Sequence, residues 1–279
     1  MNKKIIKNYI FRFTCFIITI IAFILIASFF ITITFKLIKI ISSIITYSND
    51  FLFDESLISA LIGSMIISIL SVIISFVISI PLTIFINLNS IKYKSFITTF
   101  RKWIKTINEI PALIYGIFGL IIMIIFNLNY SLLTGIVAMT IIIIPYSLMI
   151  YDNFLNNIDK NYIIFIKYPG LSNKYNKFFL IIKKSYKAII ITFLMSFLNV
   201  FGNAATVLFT TGFSDFIPKR ITDPVATIPL YIIFNINSPL ISEKEKVDLA
   251  VFILFMIIVI TYILIKIFSK NLYGKYFKK

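Results

Sequence analysis

The sequence predicts an all-α integral membrane protein, on the strength of its composition and of the length of its apolar runs. Of the 279 residues, 59% are hydrophobic and only 14% are charged, whereas soluble domains are about 45–50% apolar and about 25% charged. A soluble protein of this length would lack the polar surface needed to cover such a core. The apolar runs are helix-length and do not alternate as barrel strands do, so helices are expected to satisfy the backbone in the bilayer.

Six apolar runs are long enough to cross a hydrocarbon core of roughly 30 Å. The first follows four basic residues, as the apolar part of a signal peptide does. It is too long for that role and no small-residue cleavage site follows, so we interpret it as an uncleaved helix. The predicted spans are Ile10–Phe35, Leu57–Asn87, Ile107–Phe126, Tyr130–Tyr151, Tyr186–Thr211 and Val247–Phe268.

The distribution of charge predicts that both ends of the chain are cytoplasmic (N-in and C-in). With the N-terminus inside, 21 of the 27 Lys and Arg residues fall in inner segments, and 8 of the 11 Asp and Glu residues fall in outer ones. Lys and Arg in short loops strongly favour the cytoplasmic side. We therefore expect a multi-pass protein of the cytoplasmic membrane. Its net charge of +16 is explained by anionic membrane lipid, with no nucleic acid as partner.

The residue types argue against an enzyme, a metal centre and a bound cofactor. The chain has no histidine and a single cysteine, Cys15, so the commonest acid–base group and any internal disulfide are missing. No glycine-rich phosphate loop occurs, and we expect no ATPase activity in this chain. Asp152 and Asp159 form a possible carboxylate pair on the inner side, which alone is weak support for catalysis.

Two connections are too long to be simple turns. The inner one, 152–185, has apolar residues at near-helical spacing before Pro169–Gly170, which predicts a short amphipathic helix ending there. Such a helix either lies on the headgroups or docks on a cytoplasmic partner, and the residues leave both open. The outer connection, 212–246, holds four prolines, which fix φ and favour a shaped, partly re-entrant segment.

Three blocks of the sequence carry a family pattern: Pro111–Gly119 (PALIYGIFG), Gly202–Thr210 (GNAATVLFT) and Pro224–Tyr231 (PVATIPLY). In their order and topological places they resemble the permeases of bacterial ABC importers, and among these the phosphate-importer permeases. The family's inner loop carries a glycine about 25 residues after a proline, a spacing that Pro145 and Gly170 reproduce. The resemblance implies six transmembrane helices of the type I kind. It covers a permease core at 58–270, after a first helix and outer loop (1–57) and before a cytoplasmic tail (271–279).

The resemblance also implies a transport subunit that works in a complex. A second permease would enclose the pathway, two copies of an ABC ATPase would dock on the cytoplasmic loops, and an extracytoplasmic binding protein would deliver inorganic phosphate. Residues 158–171 would form the coupling helix, although the family's Glu-Ala-Ala is replaced by three apolar residues. The implied coupling residues are Ile164, Phe165, Ile166, Lys167, Gly170 and Leu171.

The fifth span departs further from the family pattern. Relatives carry an Arg and a Glu where this chain has Asn199 and Asn203, four residues apart and so expected on one helix face. Losing both charges together avoids an unpaired charge in the membrane. We expect Asn199, Gly202, Asn203 and Thr206 to line the substrate pathway, with any anion-attracting charge supplied by the partner permease. The alternative is that these residues only join helices through hydrogen bonds.

Two other functions stay open on the sequence alone. An ABC permease for another oxyanion or small solute would share every coarse feature. A stand-alone secondary carrier would have the spacing of Pro145 and Gly170 by accident. Co-purification distinguishes the two classes, because an ABC permease brings down an ATPase and a second six-helix protein.

Overall fold

The computed structural model describes residues 11–25, 27–28, 31–32, 34–35, 55–90, 92–156 and 174–276. Over these residues the regular structure is helical, in agreement with the predicted all-α class. The helices are α1 (Phe11–Leu25), α2 (Glu55–Leu88), α3 (Lys94–Asn108), α4 (Ala112–Ile125), α5 (Leu132–Asn156), α6 (Lys174–Phe201), a 3₁₀ turn (Val207–Phe209), α7 (Ile228–Asn235) and α8 (Ile241–Tyr276).

Several of these helices are suited to a bilayer. Three are long and apolar enough to cross one, namely α2, α5 and the Glu243–Lys270 part of α8, and the bent pair α3–α4 is a fourth if it counts as one span. In α6, five lysines occupy the first half and leave only Ala188–Phe201 without charge. The chain is therefore an integral membrane protein, whereas six spans and their orientation stay predictions.

The predicted third span, Ile107–Phe126, is not one straight helix. α3 ends at Asn108, α4 begins at Ala112, and the pair is bent by 88°. Pro111 stands just before α4, with φ −57° and ψ 137°. A proline has no N–H to donate, and it disfavours the helical conformation in the residue before it, so the chain turns here. The connection that the predicted spans leave between them, 88–106, is mostly the helix α3.

α2 and α5 pack together at the centre of the fold through small polar side chains. Ser75 and Ser147 share a hydrogen bond of 2.8 Å between their hydroxyls, and Ser71 donates to the carbonyl of Ile136 at 3.1 Å. Small residues let membrane helices approach closely, and each interhelical hydrogen bond adds about 0.6 kcal/mol on average. The Ser and Thr residues of α2 that are at most 2% exposed are Ser59, Ser64, Ser68, Ser71, Ser75, Ser79 and Thr83.

The predicted fifth span, Tyr186–Thr211, also differs from the structure. α6 begins earlier, at Lys174, and ends at Phe201. It is followed by residues 202–227, which we call the re-entrant segment and whose one helical element is the 3₁₀ turn. α7 then lies within the predicted outer loop 212–246, and its Ile228, Leu230 and Tyr231 are at most 1% exposed. This part of the loop is therefore core structure.

A polar cluster fixes α3 against the ends of α2 and α5. Arg101 Nη2 donates to Asp152 Oδ1 at 2.8 Å, and Asn87 Nδ2 donates to the same oxygen at 2.8 Å. Asn156 Nδ2 donates to the other carboxylate oxygen at 3.1 Å. With 31% and 16% of their side chains exposed, Arg101 and Asp152 form a half-buried pair, which the solvent screens less than a fully exposed one. Asp152 therefore serves to hold helices together.

The predicted inner loop, 152–185, is helical at both ends. α5 continues to Asn156, and α6 already begins at Lys174. The coupling residues Ile164, Phe165, Ile166, Lys167, Gly170 and Leu171 all lie outside the described residues. The polar cluster around Asp152 thus stands next to the point at which the chain enters that stretch.

We predict that Gly116→Val destabilises the fold, because α4 passes too close to the re-entrant segment for a side chain. A Cβ at Gly116 would lie 2.8 Å from the carbonyl oxygen of Ala205 and 3.0 Å from a ring carbon of Phe209. Overpacking of this kind costs about 1–3 kcal/mol, measured as a lower melting temperature of the purified chain in detergent. Gly202→Ala is the matched control, since its Cβ would meet its nearest atom, the carbonyl oxygen of Leu198, only at 3.5 Å. Equal melting temperatures for Gly116→Val and the unmodified chain would contradict the packing described.

Candidate functional site

The re-entrant segment packs against two helices of the bundle, α5 and α2. In its first half, the carbonyl of Thr210 accepts a hydrogen bond of 2.7 Å from the hydroxyl of Thr134, which is in the first turn of α5. At its junction with α7, the N–H of Ile228 donates to Ser64 Oγ at 2.8 Å. Ser64 is nine residues into α2, about 14 Å along the helix at 1.5 Å per residue. The segment therefore reaches well inside the bundle.

Buried threonines hold the segment in place. Thr206, Thr210 and Thr211 are 0% exposed. Thr206 Oγ1 donates to the carbonyl of Ala112, at the start of α4, at 3.1 Å. The hydroxyls of Thr210 and Thr211 donate to the carbonyls of Thr206 and Val207 at 3.0 and 2.9 Å. All three hydroxyls therefore serve the packing of the segment.

Asn203 lies just beyond α6, and its side chain shapes the turn that follows. Its Oδ1 accepts the N–H of Thr206 at 3.2 Å, while its own N–H donates to the carbonyl of Val200 at 3.1 Å. Asn favours such local bonds to backbone three residues away. The expectation that Asn199 and Asn203 share a face of a continuing helix is wrong, because α6 ends at Phe201.

The end of α6 offers an accessible polar surface. Asn199 is exposed, and its side chain is within hydrogen-bonding reach of the hydroxyl of Tyr146 in α5. Gly202 is also exposed, and Asn203 is half-buried. Of the four residues predicted to line a pathway, these three lie together at the helix end, and Thr206 is buried behind them.

The sequence did not predict that hydroxyl groups of α2 and of residue 227 lie beside Asn203. Ser64 and Ser68 of α2 lie around a gap too small for a water molecule, together with Asn203, Thr227 and the apolar side chains of Ile67, Val200, Phe201 and Val207. Thr227 is 3% exposed, and its hydroxyl has no hydrogen-bond partner among the described residues. The regular spacing of buried serines in α2 was the available signal, but it indicates close helix packing as readily as a site.

The electrostatic character of the site is neutral. No Asp, Glu, Lys or Arg occurs in 56–91, 110–151 or 188–214, which include nearly all of α2, all of α4, most of α5 and the start of the re-entrant segment. The polar groups present are hydroxyls and amides, which can both donate and accept hydrogen bonds. This arrangement can hydrogen-bond a polar solute but supplies no fixed charge to hold one.

Comparison with known proteins identifies relatives that act in transport. Over 180 residues the chain is 24% identical to a phosphate transport system permease protein PstA homolog of Mycoplasma genitalium, covering 60% of this chain and 28% of the relative. Over 164 residues it is 25% identical to a probable phosphate transport system permease protein PstA of Methanocaldococcus jannaschii, covering 58% of each. A probable ABC transporter permease protein YqgI of Bacillus subtilis is 24% identical over 164 residues, covering 53% of this chain and 55% of the relative. The chain thus spans less than two thirds of the length of these relatives.

A family profile matches most of the C-terminal two thirds of the chain. Residues 95–274, from α3 to the end of α8, match the profile of the binding-protein-dependent transport system inner membrane component. The matched region contains the bend at Pro111, α6 and the re-entrant segment. Because this is well over half of the 279 residues, the chain belongs to the family of binding-protein-dependent transport system inner membrane components, the permease subunits of ABC transporters.

Proposed function

We propose that this chain is the membrane-spanning permease subunit of an ATP-driven importer in the cytoplasmic membrane and that its substrate is inorganic phosphate. The observation that carries the proposal is the family match over residues 95–274. The choice of phosphate rests on the names of two similar proteins, from Mycoplasma genitalium and Methanocaldococcus jannaschii. Family membership makes the chain a transport subunit and disfavours a stand-alone carrier.

The proposed complex contains four kinds of protein. This chain pairs with a second permease of the PstC type, two copies of an ABC ATPase bind on the cytoplasmic side, and an extracytoplasmic binding protein delivers phosphate. ATP binding closes the ATPase pair, and residues 158–171 pass that movement to the helices as a rigid-body switch. The polar cluster of Arg101 and Asp152 supports this route, because it ties three helices together beside the entrance to that stretch.

The neutral site favours a division of labour between the two permeases. Asn199, Gly202 and Asn203 offer hydrogen-bonding groups on an accessible surface, whereas the charge that attracts an anion comes from the partner. A permease for another oxyanion is the second candidate. The absence of charge in 188–214 is equally compatible with it, since nothing in that stretch selects phosphate over a similar anion.

We predict ATP-dependent phosphate uptake by the complete set of proteins in proteoliposomes. Purification of this chain should bring down an ATPase and a second permease, and labelled phosphate uptake should be competed by unlabelled phosphate but not by sulfate. Vesicles without this chain are the control. Competition by sulfate or another oxyanion instead of phosphate would favour the second candidate. Failure to recover any ATPase would contradict the importer itself.

For the pathway, we predict that Asn199→Leu lowers phosphate uptake about tenfold or more. A hydrogen bond to a charged group contributes about 1.5–3 kcal/mol, and 1.4 kcal/mol corresponds to a factor of ten. Asn203→Asp should also lower uptake, because it keeps the oxygen that accepts the Thr206 N–H and adds a charge that repels the anion. Asn129→Leu, at an exposed residue between α4 and α5, is the matched control. Unchanged uptake by Asn199→Leu with the complex assembled would refute its place in the pathway.

For coupling, we predict that Gly170→Asp leaves the complex assembled and the ATPase active but abolishes uptake. The added side chain and charge would disturb the contact between residues 158–171 and the ATPase. Hydrolysis and uptake are measured on the same vesicles, so that their ratio reports coupling. Gly274→Asp, near the C-terminus, makes the same change elsewhere and should leave the ratio unaltered. Normal uptake by Gly170→Asp would remove this stretch from the coupling route.

A further inference from the structure

Helix α3 buries one edge of its apolar face and leaves the rest uncovered. Ile97 and Ile104, seven residues apart, are 4% and 9% exposed, and α3 packs against α5. Phe96, Trp103 and Ile107 follow the same face and are 71%, 63% and 39% exposed. An amphipathic helix with exposed aromatic residues is typical of the membrane interface. We therefore expect this uncovered stripe, formed by Phe96, Trp103 and Ile107, to contact lipid.

An apolar groove runs between this stripe and the end of α2. Its volume is about 420 Å³, within the range of about 300–1,000 Å³ found for ligand sites. Seven residues line it: Leu82, Phe85, Ile86, Tyr93, Phe96, Ile97 and Phe100. Every one of these side chains is aliphatic or aromatic, and the hydroxyl of Tyr93 is the one polar group among them. The groove therefore suits a hydrocarbon chain.

The rim of the groove is positively charged. The ammonium group of Lys92 lies 5.3 Å from the ring centroid of Tyr93, whose ring lines the groove, and Lys94 follows as the first residue of α3. Both lysines are exposed. No acidic residue occurs between Glu55 and Glu109, so no carboxylate close in sequence neutralises them. The end of the groove at Tyr93 thus presents cations next to an apolar slot.

We propose that this groove binds one anionic glycerophospholipid, with an acyl chain in the slot and the phosphate on Lys92 and Lys94. Charge complementarity selects the occupant, because a neutral lipid would leave the two ammonium groups unused and a soluble phosphate would leave the apolar slot empty. Lys and Arg next to a membrane surface attract anionic headgroups. A transmembrane helix of a partner protein fits less well, since it would bring apolar side chains to the charged rim.

The bound lipid would brace the angle between α2 and α3. The groove is lined from both helices, and α3 leads directly into the bend at Pro111. An anionic lipid seated there would hold the amphipathic helix flat at the bilayer surface. The site is separate from the exposed end of α6, and it does not depend on which solute the protein carries.

The test uses the purified full-length chain in phosphatidylcholine nanodiscs with a trace of phosphatidylglycerol carrying a photoreactive group on one acyl chain. Cross-links mapped by mass spectrometry should concentrate on residues 82–86 and 93–100. Replacing both lysines (Lys92→Gln with Lys94→Gln) should lower labelling of these residues several-fold. The matched control, Lys266→Gln with Lys270→Gln, removes the same charge from the end of α8 and should leave labelling unchanged.

Four outcomes would overturn the proposal. Equal labelling of the groove by photoreactive phosphatidylcholine would make it a site for bulk lipid. Labelling that survives the loss of both lysines would remove the headgroup contact. Absence of cross-links in the groove would show that lipid does not occupy it. Loss of the cross-links when the partner permease is added would assign the surface to protein. Both lysines are exposed, so the variant should fold, and its melting temperature in phosphatidylcholine checks this.

Discussion

A peptide group that leaves a helix inside a membrane must find its hydrogen-bond partner within the protein, because no water is available to replace the lost bond. The re-entrant segment meets this requirement through its neighbours: the carbonyl of Thr210 accepts from Thr134, and the carbonyl of Thr211 accepts from the N–H of Val225 at 3.2 Å. The small residues of α2, α4 and α5 follow from this need. Glycines at 63, 116, 119 and 135 leave room for the segment, and serines and threonines provide partners for it.

The same requirement explains why the interior is polar yet uncharged. Hydroxyl groups can bond to a carbonyl of their own helix when no other partner is present, as Ser68 does to Ser64 and Thr83 to Ser79. A charged side chain in this position would need a permanent counter-ion, since an unpaired charge is costly in the membrane. The ion pair of Arg101, in the middle of α3, with Asp152 instead lies at the ends of α2 and α5, where it joins the three helices.

The sequence predicts the helical class well, because long apolar runs admit few other structures in lipid. The sequence also contains a local break signal in Pro111, yet the predicted span Ile107–Phe126 runs across it. Prediction fails where the outcome depends on distant residues. The hydropathy of the chain does not reveal the 88° bend after Asn108. The spacing of Asn199 and Asn203 predicted that they share a helix face, although α6 ends between them. The role of Thr206 depends on the carbonyl of Ala112, which is 94 residues away in the chain.

The distance in sequence between the contacts of the re-entrant segment also sets the order in which the protein can be built. Ser64 and Ile228 are 164 residues apart, and synthesis releases the N-terminal part of a chain first. The helices α2, α4 and α5 are therefore synthesised before the segment that fills the space between them. A chain that stops before residue 228 therefore lacks the hydrogen bond between Ile228 and Ser64 and both of the last two helices, α7 and α8. The packing of the first helices of the bundle is completed only by its C-terminal part.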